Sequence, residues 1–173
     1  ECNFSSYDGV IILHGTDTLA YTASLLSLLL AGIKIPVFLV SSQLPIYEKD
    51  ANGNDNFKTA VELIINGIRP NVYAAYRNGN GRMFVHYGCH LLQCANHSND
   101  FYSRDMKKVR ENAPVFKGKK AKAKTMLLDK IDSLSSRVLK IEPYVGIDYS
   151  SFNLDGVKAV IHGVYHSSTL AVN

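Results

Sequence analysis

Four consecutive aliphatic residues, Val10-Ile11-Ile12-Leu13, run straight into His14-Gly15-Thr16-Asp17-Thr18 and then into a long apolar stretch. An unbroken aliphatic run fits a parallel strand covered on both faces; a half-exposed strand would alternate instead. Gly15 permits a sharp turn and a close approach of backbone to a ligand. Thr16, Asp17 and Thr18 then fall where helix N-caps are expected, at the carboxyl end of the strand. Ligands of open α/β sheets bind at that end. A hydroxyl beside a carboxylate there offers a nucleophile or water-orienting group and an anchor for an ammonium group. The plainer reading is that these side chains only cap the helix, which is their commonest use.

The order that follows is strand and helix in alternation. Leu19, Thr22, Ala23, Leu26, Leu29 and Leu30 keep helical spacing, with Gly32 as the expected C-cap. Residues 35–40 predict a second buried strand ending in Ser41-Ser42-Gln43, and residues 45–54 a loop. Residues 57–65 predict a helix closed by Gly67, and residues 72–76 a third strand. Asn78-Gly79-Asn80-Gly81 is a hairpin signal, returning through residues 82–87. The expected fold class is therefore α/β: a mostly parallel layered sheet with flanking helices and one hairpin.

A hydrophobic content of 46% in 173 residues, including seven Phe and ten Tyr, supplies a core and excludes a disordered chain. The longest apolar run, residues 25–33, is broken by Ser27 and Gly32 and is too short for a membrane span, so no membrane role is expected. The opening residues give no signal peptide, and three cysteines at irregular spacing give no disulfide framework. A cytoplasmic setting is the default expectation. The net charge of +4 comes mostly from the lysine run at residues 117–124, which lacks interleaved aromatics. It predicts a solvated loop rather than a nucleic-acid site. Pattern fades over residues 101–136 and returns at 138–141 and 157–164. The expected boundary lies near Arg137, dividing a main domain (1–136) from the beginning of a smaller α/β domain (137–173) too short to bury its own core. The chain reads as cut at both ends.

Asp8 through Ala23 closely resembles the second active-site segment of the bacterial-type L-asparaginases. A second segment is similar at the expected distance. Pro36-Val37-Phe38-Leu39-Val40-Ser41-Ser42-Gln43-Leu44-Pro45-Ile46 resembles the family strand that ends in a Gly-Ser/Ala-Gln/Met-x-Pro loop. Ala51-Asn52-Gly53 then stands where the family has an Ala/Ser-Asp-Gly turn, and Asn56 opens the next helix. The resemblance covers residues 7–103 and, more loosely, 138–173, where residues 161–167 resemble an early strand and loop of the family's small C-terminal domain.

The resemblance implies hydrolysis of the side-chain amide of L-asparagine, with L-glutamine a further candidate substrate, without metal or organic cofactor, in a homodimer or homotetramer. Thr16 maps onto the second family threonine and Asp17 onto the residue that holds the substrate's α-amino group. Gly15, Ser42, Gln43 and Asn52 would line or shape the substrate pocket. A threonine hydroxyl needs a proton path to act at neutral pH, and the family supplies one with a lysine near this threonine. Counting from Gly88 puts Gln93 at that relay position, and Gln93 cannot take a proton as lysine does. The family's Thr-Gly-Gly-Thr nucleophile segment does not occur in these residues and is expected upstream of Glu1. The inter-subunit asparagine aligns loosely with His166. Two rivals are an amino-acid-binding homologue with impaired chemistry and the asparaginase-like subunit of a tRNA-dependent amidotransferase.

Two further clusters have plainer explanations. His86, Cys89, His90, Cys94 and His97 have zinc-ligand chemistry. If residues 82–90 form one strand, however, His86 and His90 share one face and Cys89 takes the other. Core packing or surface placement is expected there, and no metal. His162, His166, Ser167 and Ser168 hint at a Ser/His pair but lack a nucleophile elbow, so a turn beside a subunit interface is expected.

Overall fold

The aliphatic run forms the strand it predicts. The computed structural model describes residues 6–103, 107–108, 138–165 and 168–170. Its first compact unit, Glu1–Thr125, contains strands β1 (Val10–Leu13), β2 (Val37–Val40), β3 (Val72–Arg77), β4 (Met83–Tyr87) and β5 (Lys107–Lys108), with helices α1 (Leu19–Leu29) and α2 (Gly53–Ile65). The strands are ordered β1-β2-β3-β4-β5 across one sheet. The first three are parallel, and β4 and β5 are antiparallel to their neighbours. This is the mostly parallel α/β sheet with a hairpin that the sequence implies.

Period-two alternation divides the strands between two cores. Val37, Leu39, Val72, Ala74 and Tyr76 face α1, where Leu19, Ala20 and Ala23 are buried against them. Phe38, Val40, Tyr73, Ala75 and Val85 face α2 through Ala60 and Leu63. Buried on both faces, β2 therefore reads as a continuous apolar strand. The two helices thus lie on opposite faces although both crossovers step in the same direction across the sheet. One of the two must therefore be left-handed, a hand that parallel crossovers almost never take.

Element ends depart from expectation for local reasons. Helix α1 stops at Leu29, with Leu30 as C-cap, and Gly32 follows in the left-handed region at φ +90°. Helix α2 begins at Gly53, four residues before the expected start. Its end matches the pattern: Gly67, at φ +71°, donates to the Ile64 carbonyl and Ile68 to that of Leu63, a Schellman closure. Strand β4 stops at Tyr87 and gives way to a 3-10 turn, Gly88–His90. A side chain at Gly88 would come within 2.5 Å of Ser27 Oγ and 2.7 Å of the Ala23 carbonyl, so this glycine lets the turn lie against α1. The alternation expected to carry His90 onto the face of His86 therefore ends first.

His86 is fully buried, its Nδ1 lying 2.9 Å from Ser103 Oγ. Burial lowers its pKa from 6.5 to about 4. The unfolded chain binds a proton below pH 6.5 where the folded one does not. Stability is therefore complete above pH 6.5 and falls as pH drops towards 4. The expected loss between pH 7 and pH 5 is about 2 kcal/mol. In full-length His86→Gln, urea unfolding at the two pH values should show this component gone; an unchanged pH slope would contradict it.

The second compact unit, Met126–Asn173, pairs β6 (Val138–Ile141) and β7 (Ala159–His162) in parallel. Between them Asp148 Oδ1 accepts from the Ser150 N–H at 2.9 Å and the Ser150 hydroxyl at 2.7 Å. These bonds hold its carboxyl below the usual carboxylate range. His162 Nε2 sits 3.1 Å from the Tyr149 hydroxyl. His166, Ser167, the lysine run and the boundary expected near Arg137 lie outside the described residues. Among the described residues no helix is long and apolar enough to cross a membrane.

Candidate active site

At the end of β1 the His14 N–H donates to the Val40 carbonyl at 2.8 Å, which carries the parallel register into the turn. Thr18 is the N-cap of α1, yet its side chain makes no capping hydrogen bond. The side chains of Thr16 and Asp17 likewise make no hydrogen bond to any described residue. The capping role that these residue types invite is not taken up. A hydroxyl and a carboxylate stand at the helix start with no hydrogen-bond partner among the described residues.

Buried carboxamides fix the loop after β2. Asn52 Oδ1 accepts from the Gln43 N–H at 2.9 Å, and its Nδ2 donates to the Arg77 carbonyl at 2.8 Å. Asn56 donates to the Ser41 carbonyl at 2.9 Å and accepts from the Arg77 N–H at 2.7 Å. Ser42 Oγ donates to the Leu44 carbonyl at 2.6 Å and accepts from the Gly53 N–H at 3.1 Å. Arg77 adds an ion pair with Asp55 at 2.8 Å. The end of β2 is thus tied to the end of β3 through side chains that mimic backbone pairing.

The loop of residues 94–101 is tied down in the same way. Asn78 and Phe101 exchange side-chain and backbone hydrogen bonds at 3.0 and 3.1 Å. Asp100 accepts from the Gly79 N–H at 2.6 Å. The Cys94 thiol donates to the Ser98 carbonyl at 2.6 Å, and burial raises its pKa.

These elements enclose a pocket of about 240 Å³ lined by Thr16, Asp17, Gln43, Tyr76, Gln93 and the 94–101 loop. Among the described residues Asp17 is the one carboxylate of the lining, since Asp100 of the same loop stands outside it, and no described lysine or arginine lines the pocket. Such a lining favours a ligand with an ammonium group. Gln93 Nε2 donates to the Asp17 carbonyl at 2.8 Å and so closes one wall onto the head of α1.

Of the residues singled out from sequence, the pocket brings together Thr16, Asp17, Gln43 and Gln93. Gly15, Ser42 and Asn52 do not line it; Ser42 and Asn52 hold the Gln43 loop from behind. Sequence reasoning missed Tyr76 and Asn96, and singled out Cys94 only as part of the His and Cys cluster. Tyr76 is the last residue of the expected third strand, and its place at a carboxyl end was the available signal. Among the described residues no three His, Cys, Asp or Glu side chains gather as a metal site. His86 is buried against Ser103, Cys89 is exposed, and Cys89 and Cys94 are free thiols.

The pocket lies at the carboxyl ends of parallel strands, beside the turn into α1, which is where α/β domains take their ligands. Residues 1–115 match the family model "Asparaginase, N-terminal", and the chain belongs to that family. It is 45% identical over 73 residues to an L-asparaginase of Thermococcus kodakarensis, covering 42% of this chain and 22% of that protein. L-asparaginase 1 of Escherichia coli K12 is 42% identical over 66 residues, covering 38% of this chain and 20% of the relative. The solved thermostable L-asparaginase from Thermococcus kodakarensis superposes with a TM-score of 0.74 at 25% identity, over 94% of this chain and 49% of that one. The chain thus spans about half the length of that solved relative.

Proposed function

We propose that the full-length protein hydrolyses the side-chain amide of L-asparagine to L-aspartate and ammonia, using Thr16 and Asp17. The observation that carries this reading is their shared position: both line a small polar pocket, and neither side chain is spent on capping α1. Asp17 takes the substrate's ammonium group as the one carboxylate of the lining. Thr16 presents its hydroxyl to the scissile amide, to position or activate the attack. Gln43 and Gln93 supply neutral donors and acceptors that orient the substrate without competing for its charge. Gln93 cannot accept a proton, so the proton path runs through groups other than Gln93. The same reading carries a homodimer or homotetramer working in the cytoplasm, with residues 137–173 opening a smaller second domain.

Ammonia release from L-asparagine by the full-length protein, beside Asp17→Asn, tests the proposal. Loss of the ammonium partner is expected to raise KM about 10- to 100-fold, the effect of removing one charge-assisted hydrogen bond. L-Asparagine binding without ammonia release from folded wild type would assign the site to binding alone. An unchanged KM in Asp17→Asn would remove Asp17 from it.

A further inference from the structure

We propose that Tyr76 determines the specificity of this pocket, its hydroxyl donating a hydrogen bond to an oxygen at the side-chain end of the bound amino acid. The inference rests on reading the pocket as an amino-acid-amide site. It starts from a donor without an acceptor. Tyr76 is fully buried at the carboxyl end of β3 and lines the pocket, yet its O–H finds no acceptor among the described residues. The Asn52 amide lies beside it and acts on the phenol oxygen only as a donor. Its oxygen already accepts from the Gln43 N–H and one of its N–H groups donates to the Arg77 carbonyl; the other can only donate, and so leaves the phenol hydrogen without an acceptor.

The ring is held within the core. It packs edge-on against Phe101 with centroids 4.8 Å apart, inside the cluster that includes Leu19 and Ala23 of α1. A hydroxyl held dry and unpaired is costly, and such groups call for an explanation outside the empty fold. A ligand oxygen supplies one.

The chemistry selects which ligand atom. Burial, with Cys94 and Asp100 nearby, pushes the phenol up, so it stays protonated and acts as a donor. Asp17 takes the ammonium end of the ligand, which leaves the opposite end for Tyr76. An amide carbonyl or a carboxylate oxygen satisfies the hydroxyl there, whereas an apolar side chain leaves it unpaired. Sites built around such a donor reject analogues that lack the acceptor.

The test compares full-length wild type with Tyr76→Phe and, as a control on the site itself, Asp17→Asn. Two quantities are measured: the ligand-free melting temperature, and the Kd for L-aspartate, the product, by titration calorimetry. If the hydroxyl is unpaired until ligand arrives, Tyr76→Phe melts about 2–4 °C higher and binds L-aspartate about tenfold more weakly. A lower or unchanged melting temperature would show that the hydroxyl is already satisfied, and would overturn the inference. An unchanged Kd in Tyr76→Phe, with binding weakened in Asp17→Asn, would overturn the inference and leave the site standing. L-aspartate binding that neither substitution weakens would overturn both.

Discussion

Thr16→Ala is expected to lower ammonia release from L-asparagine by about 10²- to 10⁴-fold while leaving the melting temperature within a degree or two of wild type. The two halves have separate causes. Thr16 is half-buried at the mouth of the turn after β1, and its hydroxyl bonds to no described residue, so removing it breaks nothing that holds the fold. Its backbone carbonyl accepts from the Leu19 N–H at 3.3 Å, and alanine keeps that bond. Thr16 lines the pocket beside Asp17, where a hydroxyl that positions the attack or passes a proton is worth about 10²- to 10⁴-fold. Thr16→Ser keeps the hydroxyl and should retain most of the rate. Steady-state ammonia assays on the three proteins decide the matter. A Thr16→Ala rate within a few-fold of wild type would return Thr16 to the role of an ordinary turn residue.

That prediction was available from sequence because its elements are local. Four aliphatics, a glycine and three small polar residues specify strand, turn and helix start without reference to the rest of the chain. The hairpin at Asn78–Gly81 was legible for the same reason, and Gly67 marked the end of α2. What stayed hidden depends on contacts between distant segments. Residues 45–54 carry turn formers throughout, so nothing local told α2 to begin at Gly53. The start is set by Asn56, whose side chain reaches back to Ser41 and across to Arg77. The end of β4 was hidden likewise, because Gly88 matters through its approach to Ser27 and Ala23, more than sixty residues away. The pocket follows this division. Thr16, Asp17 and Gln43 carried local signals at strand ends. Tyr76 looked like one more core aromatic, and the 94–101 loop, whose conformation is set by Asn78 and Asp100, looked merely polar.

Asn56 tests the idea that distant carboxamides build the site. Asn56→Leu is expected to destabilise the full-length protein by about 3–5 kcal/mol in urea unfolding. The residue is fully buried, and its one side chain satisfies the Ser41 carbonyl at 2.9 Å and the Arg77 N–H at 2.7 Å. Leucine is of similar size, so no large cavity accounts for the loss. It instead leaves a carbonyl and an amide N–H unpaired at the ends of β2 and β3, at about 1–3 kcal/mol each. Total stabilities of about 5–15 kcal/mol make that a large fraction. A second effect follows from position: Ser41 begins the segment that sets Gln43 against the pocket, so freeing it should raise KM for L-asparagine more than it lowers kcat. Asn56→Asp separates the two bonds, since the carboxylate still accepts from Arg77 N–H but repels the Ser41 carbonyl. Its stability should fall between those of wild type and Asn56→Leu, and should recover partly as pH falls and the acid protonates. A loss below about 1 kcal/mol in Asn56→Leu would mean that solvent reaches both orphaned groups. The strand ends would then be held by Asn52 and by the Arg77–Asp55 pair instead.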